Sequence, residues 1–597
     1  MTMQRKKIIQ FIGSLFFGFL FYLALVYYKE RMLSFDPAYY SFLLLQQKAY
    51  NFSNGRWISY ITEIVPVIAL KNNCSIVIFL KLYSVMFILV YYAIFLLCTL
   101  LFNNYKAGLA LMLSLSLGFR WIFYYATTEL FMGIALTILL WAIIGSANFN
   151  SPRLKKWIST LLSLFLIYTI SYCHQLTFFM VLFVVLLEII SENRYKDKHL
   201  LAIFAFTIIW YFIRVKFLTT SDYEKDKLNI IETSINYIND FTNLPYWMHL
   251  KSFFFMSLKP LCITFLFCLI LAAIYRKWIL LAFSILFMTG YVIFTVMIFP
   301  EGSNNLFYET YYTPFGLITG ILLIALIYNR FPFAVTIFIT LFLLVLNLNG
   351  IYMSHNIQSE RIKYLDRLTA YGRQKENKKY LLNVANIPMN IVSVQGYLPF
   401  ESLIYSSLHS KDSSVTFFWT FNMNQYDSLI NNENIFLGPD FAPTRFRTDL
   451  LNKQYYHLPS GNYLKVNNSQ SDSSFKESFF NNKNVEIIPT MREVSSSNDN
   501  FIIMPIRIHN ISGKTINSTP DGKNPVYLSY HLYDKNSKLL TWDNSLTTLE
   551  VDISDDYTQG LFVDLPSDKG NYIIETDFVT ENIRWWNINC RFKLTVK

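Results

Sequence analysis

Two patterns divide this chain. Up to about residue 353, long apolar runs are broken by short polar stretches; beyond it, apolar residues come in the small clusters of ordinary water-exposed protein. A helix needs about 20 mostly apolar residues to cross the roughly 30 Å hydrocarbon core of a bilayer. Eleven runs fit that pattern: 8–28, 76–101, 107–117, 130–144, 157–172, 176–190, 200–217, 253–275, 278–299, 315–328 and 331–349. The first is long for a signal peptide, lacks a small-residue cleavage site and is followed by many more such runs. The pattern predicts a polytopic helical membrane domain over 1–350. A connector and small mixed α/β region follows over 351–480.

From about residue 485 the period changes. Segments 501–509, 526–533, 539–542, 560–565, 571–579 and 590–596 alternate apolar and polar positions between Gly, Pro, Asn and Asp. That spacing predicts an antiparallel β-sandwich over 481–597.

Composition agrees with the division. Of 597 residues, 53% are hydrophobic and 15% charged, against about 25% charged in soluble proteins. The net charge of +11 invites a nucleic-acid reading, yet no basic stripe interleaved with aromatics occurs in the tail. Instead the basic residues cluster in alternate loops: Arg5/Lys6/Lys7, Lys106, Arg153/Lys155/Lys156, Arg194/Lys196/Lys198, Arg276/Lys277 and Arg330. That alternation predicts a cytoplasmic N-terminus and, with eleven spans, an extracytoplasmic tail. The six cysteines show no C-x-x-C or paired spacing, so neither a zinc site nor a disulfide framework is indicated.

Candidate chemistry gathers in the loops assigned to the outer face. Asp36 follows the first apolar run in Phe35-Asp36-Pro37. It suits either the N-cap of an amphipathic helix or a general base at the membrane surface. Arg56 sits in Asn54-Gly55-Arg56-Trp57, where a guanidinium is able to grip a lipid phosphate. Arg120 and Glu129 flank 121–128, and Glu129 opens the next apolar run, where a negative charge also suits a helix N-terminus. His174 occupies a very short connection and reads as a packing residue or a site residue. Glu301, Glu309 and Tyr312 share the loop 300–314.

This plan is similar to the GT-C class of integral-membrane glycosyltransferases. Asp36 occupies the place of their first-loop catalytic acid, and Glu129 that of a second acid before the fourth span. Tyr312-Thr313-Pro314 resembles the Arg-Tyr-x-x-Pro entry to a late helix, although Tyr311 replaces the basic residue. The resemblance implies transfer of a sugar from a polyprenyl-phosphate donor to a glycan, lipid or protein acceptor. It also implies a bacterial cytoplasmic membrane setting, with chemistry on the outer face. No Asp-x-Asp pair stands in these loops, so no divalent metal or other cofactor is implied. The phosphate contact then falls to Arg56, Arg120, Arg214, Lys216, Lys251 or Lys259.

In the tail, Val526-Tyr527-Leu528-Ser529-Tyr530-His531, then Gly570-Asn571-Tyr572, Asp577-Phe578-Val579-Thr580-Glu581 and Trp585 resemble a β-sandwich module of bacterial polysaccharide-assembly transferases. His531 and Trp585 are open there to a sugar-lining or a packing role. The competing reading of the whole chain is a lipid-linked glycan flippase, transporter or polymerase-like protein. Transporters carry ionisable groups deep within their spans, whereas Glu188, Arg214, Lys216 and Lys259 lie toward the ends of these runs.

Overall fold

The computed structural model describes residues 2–596 except 52–56, 119, 148–150, 219–244, 299–304, 384–396, 421–425, 439–445, 467–483, 492, 497–500, 513, 517–525, 543, 550, 567, 581–583, 587 and 589. The chain forms two compact units, Met1–Ile362 and Lys363–Lys597.

The first unit is mostly helical. Its helices are α1 (Met3–Val26), α2 (Tyr28–Met32), α3 (Phe35–Gln47), α4 (Tyr60–Lys71), α5 (Ile76–Leu96), α6 (Tyr105–Ser116), α7 (Glu129–Ser146), α8 (Arg153–Ser171) and α9 (Thr177–Ser191). They continue as α10 (Lys198–Phe217), α11 (Pro245–Met256), α12 (Lys259–Ile274), α13 (Trp278–Ile298), α14 (Asn305–Tyr311), α15 (Thr313–Ile327) and α16 (Phe333–Met353). A last helix, α17 (His355–Gln374), contains the division between the units.

Every predicted apolar run falls on a helix, and the helices differ in length. Six among the described residues have the length and hydropathy to cross a membrane. Helices α9, α12 and α15 are apolar but shorter. With 12 residues, α6 reaches only about 18 Å at 1.5 Å per residue. The run 253–275 is split between α11 and α12, because Pro260 has no N–H to carry a helix through from the preceding turn. Phe11, Leu161, Phe212, Leu286 and Phe338 point outward, a large apolar surface that suits lipid better than water.

Helices α6 and α15 approach closely at two glycines one turn apart. A Cβ on Gly316 would sit 3.2 Å from the Gly118 backbone nitrogen. One on Gly320 would sit 2.8 Å from Ser114 Oγ and 3.2 Å from Ser114 N. Small residues at such a seam let two backbones meet. Gly320→Val is therefore expected to cost about 1–3 kcal/mol through overpacking, seen as a lower melting temperature in detergent. Gly18, with nothing within 4 Å of its would-be Cβ, is the control, and Gly18→Val should leave the melting temperature close to wild type.

The second unit is rich in strands. Strands Thr416–Thr420, Lys379–Asn383 and Leu464–Val466 form a parallel sheet in that order, with helix Leu398–Ser406 between the first two strands in sequence. Further on, one sheet runs Leu539–Thr541, Val526–Asp534, Gly570–Thr580, Cys590–Val596 and Glu493–Ser496. A second joins Tyr557–Asp564, Phe501–Asn510 and Val485–Pro489. Ile487, Met504, Ile506, Leu528, Ile574 and Phe592, drawn from both sheets, belong to one buried apolar cluster. The predicted strand segments all recur. The exception to the antiparallel expectation is the pair Cys590–Val596 and Glu493–Ser496, which is parallel.

Candidate functional site

The site is built where the chain leaves α1. After α2, Ser34 stands extended at the N-cap of α3, and Phe35 adopts φ of 50°. That left-handed conformation costs a residue with a Cβ about 1–3 kcal/mol and needs surrounding contacts to persist. The Arg361 guanidinium supplies one, 4.2 Å from the Phe35 ring centroid. Asp36 consequently lies inside the first turn of α3, not at its N-cap as the Pro37 rule predicted. Its carboxylate is turned to the Tyr125 hydroxyl, which donates to Asp36 Oδ2. Uncapped N–H groups at this end of the helix favour a negative charge there.

One turn beyond Asp36, Tyr40 lines a cavity with about 30 Å³ of room for water-sized molecules. Asn51, Glu63, Tyr83, Thr127 and Glu129 line it too. Glu129 is the first residue of α7, four positions after the tyrosine that holds Asp36. Thus the two candidate acids Asp36 and Glu129 are brought to one neighbourhood by α3 and the segment 125–129.

Glu63 was not foreseen as a candidate. It is 2% exposed, and its Oε2 accepts the Asn51 N–H at 2.9 Å. Burial, with a smaller push from Glu129, lifts its carboxyl from 4.5 to about 7, against hydrogen bonds from Asn51, Ser59 and Tyr83. The only local signal is an acid placed within an otherwise apolar stretch, Ile61 to Ile68.

Glu309 has a different task. Its Oε2 accepts the Ile122 N–H at 2.7 Å, which caps the turn Trp121–Tyr124. Tyr124 in turn donates to the Ile351 carbonyl at 3.1 Å. Glu309 therefore fixes the loop that presents Tyr125 and Glu129. Arg120 lies beside Glu309 electrostatically and packs against Gly350.

Burial raises the Glu309 carboxyl from 4.5 to about 8 despite those donors. A carboxyl raised in this way contributes stability that is whole below 4.5 and lost as pH climbs through about 8. Glu309→Gln keeps an acceptor for Ile122 without that titration. The melting temperature of the variant minus that of wild type should rise between about pH 5 and pH 8 and level off above, by the linkage relation. A difference independent of pH would contradict this role.

The other candidates lie elsewhere. His174 ends α8's connection to α9, where its Nδ1 accepts the Leu176 N–H at 3.1 Å. Tyr312 is fully buried and shares a 2.6 Å hydrogen bond with Thr295. Neither lines the cavity. Arg56 and Glu301 lie outside the described residues. In the second unit, His531 is buried between the rings of Trp542 and Trp585, at 3.8 and 4.1 Å, and its Nδ1 meets the Trp542 carbonyl.

A further buried cation stands near α3. Arg31 is 2% exposed and donates to Ser84 Oγ at 2.8 Å, to the Ser84 carbonyl and to the Phe123 carbonyl. Burial lowers its guanidinium to about 10. It ties α2 to α5 and to the loop that Glu309 caps. No group of three or more His, Cys, Asp or Glu among the described residues is arranged to hold a metal ion. Compared with known proteins, the chain matches no family model, no curated protein and no solved structure.

Proposed function

We propose that this chain is a membrane glycosyltransferase that takes a sugar from a polyprenyl-phosphate donor. The acceptor is a hydroxyl of a glycan, lipid or protein on the extracytoplasmic face of a bacterial cytoplasmic membrane. The observation that carries the reading is the seat of Asp36. Its carboxylate stands in the first turn of α3, just beyond the first apolar helix, held by the Tyr125 hydroxyl beside a cavity lined by Glu63 and Glu129.

In this reaction Asp36 accepts the proton of the acceptor hydroxyl. The freed oxygen attacks the anomeric carbon, and the bond from that carbon to the phosphate oxygen breaks. The electron pair leaves with polyprenyl phosphate, and the anomeric configuration inverts. Phosphate is a good leaving group, so the step asks little beyond alignment, a base and a positive group near the departing oxygen. The remaining short apolar helices would complete a bundle of about eleven membrane segments. The two strand sheets of the tail, sharing one apolar core, would close as a β-sandwich outside the membrane.

The test is a transfer assay in membranes. Vesicles containing the chain are given polyprenyl-phosphate sugars labelled in the sugar. Label should pass from the lipid to an acceptor, with release of unlabelled polyprenyl phosphate. Label that stays on an intact lipid-linked glycan and only changes leaflet would replace this reading with a flippase.

A further inference from the structure

We propose that Arg361 is a positioning residue for Asp36: its guanidinium, laid on the Phe35 ring, holds the left-handed turn at Phe35 from which the Asp36 carboxylate reaches Tyr125. Its part in sugar transfer rests on the transferase reading; its hold on Asp36 does not.

The turn at Phe35 differs from the others of its kind. Of the described non-glycine residues with positive φ, Lys48, Asn73, Asn103, Asn193 and Arg276 stand just past helical segments. A left-handed residue is the usual ending there. Ser537 belongs to the turn between strands Val526–Asp534 and Leu539–Thr541. Phe35 instead opens a helix, and it alone among them is buried, at 4% exposed. A Cβ crowds the following carbonyl in this conformation, and a helix start does not require it. Such outliers persist where neighbouring groups hold them, and they gather at functional sites.

Arg361 is placed to be such a holder. It is 1% exposed, with its guanidinium 4.2 Å from the Phe35 ring centroid. A planar guanidinium stacks on an aromatic face, and the attraction grows when the pair is removed from water. Helix α17 presents it firmly: Ser359 Oγ donates to Glu30 Oε1 at 3.1 Å, and the His355 ring stacks on that of Tyr27 at 4.5 Å. Those contacts pin the start of α17 to α2 and to the residue before it, and α2 leads into the turn. On the other side, the Phe35 ring centroid lies 6.2 Å from that of Tyr125, whose hydroxyl donates to Asp36. Phe35 and Asp36 share one peptide bond, so relaxing Phe35 to negative φ would swing Asp36 away from Tyr125. Glycine adopts either sign of φ readily, so Phe35→Gly would keep the turn without help from Arg361.

The test puts meta-fluorotyrosine in place of Tyr125 in the full chain and reads its fluorine signal by NMR in detergent, without substrate. Asp36→Ala marks the signal of a ring whose partner is gone. Arg361→Ala should displace the signal toward that value. Arg361→Lys, with the charge but not the planar fork, should displace it part of the way. In a Phe35→Gly background both substitutions should leave the signal where Phe35→Gly alone puts it, because the coupling between the two positions is already gone. An undisplaced signal in Arg361→Ala, or equal displacement in both backgrounds, overturns the proposal. If Arg361→Ala fails to fold, Arg361→Lys carries the same comparison. In the transfer assay Arg361→Ala should lower kcat by up to about 10²-fold with KM little changed, as misplacing a reacting group does. An unchanged kcat beside a displaced signal would overturn the part in transfer. An inactive wild type would overturn the transferase reading and leave the fluorine comparison standing.

Discussion

Asp36→Asn is expected to lower sugar transfer by about 10²–10⁴-fold, the range for loss of a general base, while the protein still inserts and folds. Asparagine keeps the size of the side chain, and its Oδ1 still accepts the Tyr125 hydroxyl that holds Asp36. What disappears is the basicity that takes the acceptor proton. The negative charge in the first turn of α3 also goes, at a stability cost of only about 0.3–1 kcal/mol. Activity and stability should thus separate. Transfer of labelled sugar is compared at equal amounts of membrane-inserted protein, with melting temperature measured alongside. Asp36→Ala, which also loses the Tyr125 contact, should be no more active and somewhat less stable. Full transfer by either variant would remove Asp36 from the mechanism.

Arg194→Ala is expected to destabilise the first unit by about 3–5 kcal/mol, the cost of breaking a buried ion pair from one side. Arg194 lies between α9 and α10 and is 9% exposed. Its Nη1 reaches Glu188 Oε1 at 3.1 Å and the Ile144 carbonyl at 3.2 Å. Nη2 reaches Asp197 Oδ2 at 2.6 Å and the Ala147 carbonyl at 2.8 Å, and Nε also meets Asp197 Oδ2. One guanidinium therefore satisfies two carboxylates and closes the C-terminal end of α7, whose last carbonyls have no helical partner. Trp141 Nε1 donates to the other Glu188 oxygen at 3.2 Å. Lysine has the charge but not the planar fork, so Arg194→Lys should recover only part of the loss. Adding Glu188→Gln to Arg194→Ala should cost less than the two single effects summed, since both remove one network. Thermal unfolding in detergent reads each variant; an Arg194→Ala protein as stable as wild type would contradict the assignment.

Arg194 also shows what local sequence conveys and what it does not. Together with Lys196 and Lys198 it marks a basic connector, and the helices on either side begin and end close to where the apolar runs do. Its burial and its four acceptors depend on the ends of α7 and α9, about 50 positions away at the farthest contact. The same limit hid Glu63. Helix α4 reads as an apolar stretch with one acid, and nothing nearby announces that Glu129, 66 positions on, faces the same cavity. Asp36 and Glu129 stand out as candidates because a carboxylate next to the end of an apolar run is conspicuous. Glu309 was legible as an acid in a loop, but its bond to Ile122 spans 187 positions and makes it a cap for another loop. The strands of the tail were read closely, since period-two alternation and turn residues are local properties. The parallel pairing of Cys590–Val596 with Glu493–Ser496 is a long-range choice and was not. Helix length is likewise hard to read: the apolar content of α6 is plain, whereas its brevity is set where Asn104 caps it and Leu117 ends it.

The central claim is that this chain adds a sugar outside the membrane. Mass spectrometry of cell-envelope glycans, comparing cells with and without the chain, tests it most directly. One defined sugar should be missing from an envelope glycan in cells without the chain and restored by wild type but not by Asp36→Asn. Envelope glycans of unchanged composition, or a complete lipid-linked glycan accumulating on the cytoplasmic side, would contradict it.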